Sequence, residues 1–219
     1  MSIKNNINND EKEEPLKIVL IGESGVGKTS IIYQFIDKNF LYDQQATIGG
    51  TFATKKVKCS NGKILKLEIW DTAGQEQYRS VTKMFYKDAN AAILVYDITS
   101  KNSFDGLKNY WVKEVKDSSQ RNVILVILGN KSDLFDKEQV DNEEASAFAK
   151  ELNALFFTTS AKDSITINKL FLKIAEIYSG TDSASIVNNE GENEEFKRIR
   201  RESIKLSNST NKKKKRKFC

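Results

Sequence analysis

Apolar positions along this chain fall into two alternating patterns. Short, nearly continuous apolar runs occur at residues 16–21, 91–96, 123–128 and 155–159, as expected of strands buried on both faces. Between them, apolar side chains recur every three or four residues. Ile31, Ile32, Phe35 and Ile36 do so within 28–37, and Phe104, Leu107, Trp111 and Val115 follow the same rule. So do Ala145, Phe148, Ala149 and Leu152, and lastly Ile167, Leu170, Phe171, Ile174 and Ile177. Each set predicts an amphipathic helix. Residues 52–59 and 64–70 read as a hairpin turning at Ser60-Asn61-Gly62. The order predicts an α/β fold: a mostly parallel six-stranded sheet with one antiparallel edge strand, and helices on both faces. Ligands of such sheets sit beyond the carboxyl ends of the strands. Four of those ends carry polar motifs, at 22–29, 71–74, 130–133 and 160–162, and these are expected to converge on one crevice.

The first motif reads Gly22-Glu23-Ser24-Gly25-Val26-Gly27-Lys28-Thr29. A strand, a glycine-rich turn of this spacing and a helix form the context of a phosphate-binding loop. Gly22 and Gly27 let the backbone curl until several N–H groups face one centre, and Ser24, Gly25, Val26 and Ser30 complete the loop and the helix start. Lys28 is expected on the β- and γ-phosphates and Thr29 on Mg²⁺. Asp71, at a strand end, is a further Mg²⁺ candidate. After it, Gly74 offers an N–H toward the γ-phosphate and Gln75 can orient a water. Alone, Asp71-Thr72-Ala73-Gly74 would be an ordinary turn.

Asn130-Lys131-Ser132-Asp133 selects the base. A carboxylate only accepts hydrogen bonds. Guanine presents N1–H and N2–H₂ side by side, whereas adenine has an acceptor at N1, so Asp133 favours guanine and leaves adenine mispaired. Asn130 can hold the loop and meet N7, the Lys131 stem can lie on the ring, and Ser160-Ala161-Lys162 can supply the Ala161 N–H to O6. Phe40 either packs on the base edge or anchors the first helix.

Composition narrows the class. The chain has 219 residues, two cysteines (Cys59 and Cys219), one proline (Pro15) and no histidine. Histidine triads and histidine metal sites are excluded, and any metal must take oxygen ligands, which suits Mg²⁺. No apolar run is long enough to span a bilayer. The polar start gives no expectation of a secretory signal, and the compartment is expected to be cytosolic. The net charge of +5 resides in residues 181–219, with eleven basic and six acidic residues, while residues 1–180 balance. Residues 1–14 and 181–219 are expected to be disordered segments flanking one domain at 15–180.

Five motifs, G-E-S-G-V-G-K-T, T-I-G-G-T-F, W-D-T-A-G-Q-E, N-K-S-D and S-A-K, occur in order across residues 16–178. Together they resemble a Ras-superfamily small GTPase of the Rab family, nearest its early-endosomal group. The resemblance implies the G-domain form of the P-loop NTPase fold, GTP/GDP with Mg²⁺, and slow hydrolysis aided by a GTPase-activating protein. It implies that Thr47 meets Mg²⁺ and the γ-phosphate in the GTP state, that Phe40 packs on guanine, and that Phe52, Trp70 and Phe85 form an effector surface. It also implies an exchange factor, a GDP-dissociation inhibitor and effectors as partners of a monomer with no nucleic acid, cycling between cytosol and the cytoplasmic face of endomembranes. The chain departs from the family's habits with Gln77 after Glu76, Phe85 where tyrosine is usual, and one terminal cysteine in place of two. Lys212–Lys217 beside Cys219 reads as a lipidated basic membrane anchor, or alternatively as a nuclear-localisation or nucleic-acid tail. A GTP-dependent scaffold without turnover is a further alternative, which Gln75 argues against.

Overall fold

The computed structural model describes residues 14–38, 47, 50–72, 85–118 and 123–181. In chain order the elements are β1 (Glu14–Ile21), α1 (Lys28–Asp37), β2 (Gly50–Lys58), β3 (Ile64–Thr72), β4 (Ala91–Asp97) and α2 (Lys101–Gly106). A π turn (Leu107–Trp111) leads into α3 (Val112–Ser118), followed by β5 (Ile124–Asn130), a 3-10 turn (Ser132–Lys137), α4 (Asn142–Glu151), β6 (Leu155–Thr158) and α5 (Ser164–Tyr178). The strands lie in the order β2-β3-β1-β4-β5-β6. All neighbours are parallel except β2 and β3, the expected antiparallel edge, where Phe52 faces Trp70.

Burial explains this order. Every residue of β4 is buried, as its uninterrupted apolar run requires of a central strand. β2 alternates between half-buried and exposed positions after its first three residues, which suits an edge. One face of the sheet packs on α1 and α5, with Phe35 and Phe171 stacked at 3.9 Å. The other packs on α2, α3 and α4 around Phe104 and Trp111. The hairpin turn is pinned to α5, since Ser60 N and Oγ donate to the Glu176 carboxylate at 2.7 and 2.9 Å.

The strands run further toward the crevice than their apolar runs indicate. β3 takes in Asp71 and Thr72, and β5 takes in Asn130. Polar side chains there finish strands that apolar residues began, so the chemistry stands on rigid backbone. The stripe Phe104-Leu107-Trp111-Val115 is not one regular helix, because the π turn widens it at Leu107–Trp111.

Candidate functional site

The turn after β1 is built around absent Cβ atoms. A Cβ on Gly22 would lie 2.2 Å from the Val95 carbonyl oxygen, and one on Gly27 2.3 Å from Asn130 Nδ2. Gly27 also has φ +96°, a conformation that side chains rarely adopt. α2, α4 and α5 begin with side-chain caps from Ser100, Asp141 and Asp163. α1 begins at Gly27 without one. The N-cap position therefore places no side chain between the helix start and an incoming anion.

Lys28 is buried beneath this loop, and its Nζ donates to the main-chain oxygens of Gly22 at 2.8 Å and Glu23 at 2.9 Å. Two of three ammonium hydrogens are thus spent on holding the loop, leaving one for a ligand. Burial lowers the Lys28 pKa to about 8, with Asp71 and Glu23 working in the other direction. An anion in the loop would favour the charged form.

Four oxygen-bearing side chains, Thr29, Thr47, Thr51 and Asp71, meet at the β3 end of the crevice. Thr29 Oγ1 lies 2.7 Å from Thr47 Oγ1 and donates to Asp71 Oδ2 at 2.6 Å. Thr47 and Thr51 hydroxyls reach the same oxygen at 3.4 and 3.5 Å. Asp71 is fully buried, and its Oδ1 has no hydrogen-bond partner. Burial pushes its carboxyl above the ordinary carboxylate range, against the pull of Thr29, Lys28, Thr47 and Thr51. A buried carboxylate with an unpartnered oxygen beside two hydroxyls is a donor set that fits a hard divalent cation such as Mg²⁺.

The β5 and β6 ends form the other half of the crevice. Asn130, 1% exposed, donates from Nδ2 to the Val26 carbonyl oxygen at 2.8 Å and accepts at Oδ1 from Ala161 N at 3.0 Å. The Ala161 N–H and Asn130 amide expected on the base are thus engaged with one another and with the glycine-rich turn at Val26. Asp133 Oδ1 accepts from Ser160 Oγ and Oδ2 from Lys162 Nζ, both at 2.7 Å. Partial burial disfavours the charged carboxylate, but these bonds outweigh it and hold its pKa below the ordinary value. Each oxygen keeps a lone pair for a further donor. Lys131 adopts φ +65°, and its ammonium pairs with Asp97 Oδ2 at 2.6 Å. That pairing ties the Lys131 ammonium to the end of β4.

Phe52, Trp70 and Phe85 lie side by side with centroid distances of 4.8 and 5.4 Å, and Phe52 is 50% exposed. Ser24 and Gly25 are exposed on the loop, with Ser30 half-buried on the first turn of α1. Phe40, Gly74, Gln75, Cys219 and the basic run 212–217 lie outside the described residues. Lys162 enters the site as a partner of Asp133, a pairing absent from the sequence expectations. Glu23 is likewise new to the site, and its side-chain oxygen accepts from Trp111 Nε1 at 2.9 Å. Neither pair leaves a spacing signal, because 29 and 88 residues separate their members.

Compared with known proteins, residues 17–179 match the model of the Ras family. The human Ras-related protein Rab-22A is 44% identical over 168 residues, which cover 77% of this chain and 86% of that protein. The Dictyostelium discoideum Ras-related protein Rab-5A is 44% identical over 170 residues, covering 78% and 84%. The Arabidopsis thaliana Ras-related protein RABA1i is 40% identical over 170 residues, covering 77% of each.

Proposed function

This chain belongs to the Ras family of small GTPases, in its Rab-type branch, and from that premise we propose that it is a GTP-hydrolysing switch of membrane trafficking. The observation that carries the reading is the bridge through Asn130. Its side chain ties the phosphate loop at Val26 to the Ala161 turn, while Asp133 stands ionised three residues further on. Phosphate and base recognition thereby share one rigid frame.

In this reading Asp133 accepts from guanine N1–H and N2–H₂ and excludes adenine. Lys131 covers the ring, and Ser160 and Lys162 hold the carboxylate. Phe40 packs on the base. The loop from Gly22 to Ser30 wraps the phosphates with main-chain N–H groups, and the remaining Lys28 hydrogen goes to the β- and γ-oxygens. Thr29, Thr47 and Asp71 would hold Mg²⁺, which when bound neutralises charge building on those oxygens. Gly74 donates to the γ-phosphate and Gln75 orients the attacking water. Thr47 reads whether a γ-phosphate is present, so the segments 38–49 and 72–83 change state on hydrolysis. Phe52, Trp70 and Phe85 then present an apolar surface to effectors.

No arginine lies between Lys28 and Gly74, so the first switch has no arginine finger of its own. Turnover is slow, well below about 1 s⁻¹, until an activating protein supplies one. An exchange factor, a GDP-dissociation inhibitor and effectors complete the cycle of this monomeric domain at 15–180. Cys219 carries a lipid, and with Lys212–Lys217 forms a two-part anchor for the cytoplasmic face of endomembranes, endosomal ones first. Intact mass of protein from its own cells tests the lipid, since an unmodified mass rules the anchor out. The function itself is tested by single-turnover hydrolysis of Mg²⁺-GTP by the purified chain. Slow release of phosphate from GTP and none from ATP supports the switch, whereas rapid unaided turnover or none at all contradicts it.

A further inference from the structure

Glu23, the second residue of the phosphate loop, is used twice. Its main-chain oxygen holds Lys28 Nζ at 2.9 Å, and its side-chain Oε1 accepts from Trp111 Nε1 at 2.9 Å. Trp111 is fully buried and is the last residue of the π turn Leu107–Trp111. A π turn fits one extra residue into the helical ladder and re-aims the side chains beyond it. Gly106 stands immediately before that turn. A Cβ there would lie 2.8 Å from Glu23 Oε1 and 3.4 Å from its Cδ. Gly106 has φ −59° and ψ −38°, ordinary helical values, so the backbone does not require glycine. The crowding comes from the Glu23 carboxylate, which a methyl at 106 would push aside.

A buried indole N–H needs an acceptor, and here the acceptor is a carboxylate on the phosphate loop, which makes the bond charge-assisted. The loop is therefore braced from two sides, by Lys28 on its carbonyls and by Trp111 on the Glu23 side chain. We infer that Trp111 and Glu23 form a strut that positions the phosphate loop, with Gly106 as the space it occupies, and that the strut sets how long a guanine nucleotide stays bound. The inference rests on the guanine-nucleotide reading above. Trp111 and Gly106 act through Glu23 and touch no phosphate themselves, so they are positioning residues.

The test is release of N-methylanthraniloyl-GDP from the full chain, chased with excess GDP, alongside the melting temperature of each variant. Gly106→Ala is the most discriminating change. Alanine is the better helix former, so the fold is kept while the new methyl displaces the Glu23 carboxylate. Trp111→Phe keeps an aromatic ring but removes the donor, and Glu23→Ala removes the acceptor. Each should speed release about tenfold, the scale of one charge-assisted hydrogen bond. Glu23→Gln restores a neutral acceptor and should release more slowly than Glu23→Ala. The Trp111→Phe/Glu23→Ala double variant should release no faster than either single one, since both break the same bond. The Trp111 indole N–H resonance, identified by its loss in Trp111→Phe, should shift when GDP is removed. Native release rates in folded Gly106→Ala and Trp111→Phe would overturn the strut, as would rates that merely follow melting temperature. If the native chain fails to hold the GDP analogue, the guanine reading falls and the strut falls with it.

Discussion

Asn130 Nδ2 lies 2.8 Å from the Val26 carbonyl oxygen, joining the end of β5 to the phosphate loop across 104 residues of sequence. The same side chain accepts from Ala161 N, so one buried amide satisfies a main-chain acceptor and a main-chain donor on two different loops. Asn130→Ala leaves both groups without a partner in the interior. Each buried unsatisfied group costs about 1–3 kcal/mol. The variant should lose stability on that scale in urea unfolding and release GDP faster than the native chain. A variant of native stability would show that the bridge is dispensable.

Asp133 gives the site a defined response to acid. Its pKa lies below the ordinary 3.8, because the bonds from Lys162 and Ser160 outweigh burial. A carboxylate with a lowered folded pKa contributes stability that is fully present above its unfolded value and is lost as pH falls through the folded midpoint. Carboxyl-carbon NMR should therefore find Asp133 titrating below 3.8, with stability from this group declining only under that pH. Lys162→Met removes the stronger opposing bond and should move the midpoint upward. Lys162 is 47% exposed in its side chain, so salt should weaken the native effect in the same direction. A midpoint that does not move in Lys162→Met would contradict the pairing.

Asp71 and the two threonine hydroxyls predict dependence on a divalent cation. Asp71→Asn keeps the shape and loses the charge that a cation needs. Chelation of Mg²⁺ should speed GDP release from the native chain and have much less effect on the variant. The variant's Mg²⁺ affinity, read from release rates across a metal titration, should fall by at least tenfold, about 1.4 kcal/mol. Equal responses to chelator would remove Asp71 from the proposed metal site.

Gln75 is the residue proposed to orient the attacking water. Gln75→Leu should retain GTP at near-native affinity while abolishing the rate increase given by an activating protein. Stimulated turnover that survives in Gln75→Leu would assign the orientation of water to another group.

Much of this was legible because strand, loop and helix alternate with little ambiguity. Ala91–Asp97 is apolar on both faces and sits at the centre of the sheet. Lys28–Asp37 begins where a Gly-Lys-Thr sequence says a phosphate-facing helix should. The four polar strand ends were readable as one crevice because parallel strands all point their carboxyl ends one way. What stayed hidden was the pairing within the crevice. The side-chain bonds of Asp133 to Lys162 and of Glu23 to Trp111 join residues whose separation carries no period. The π turn was hidden because Phe104, Leu107, Trp111 and Val115 keep helical spacing whether or not an extra residue is folded in. The left-handed Lys131 was hidden because no glycine marks the place.

Guanine selectivity is read by equilibrium competition. The purified full chain, loaded with a fluorescent GDP, is titrated with GTP, ATP and XTP in Mg²⁺. GTP should displace the probe at concentrations at least about 10⁴-fold lower than ATP, because adenine leaves Asp133 mispaired. In Asp133→Asn the order should turn toward XTP, whose carbonyl at C2 meets an amide donor where the native carboxylate only accepts. Equal displacement by ATP and GTP from the native chain would show that Asp133 does not select guanine.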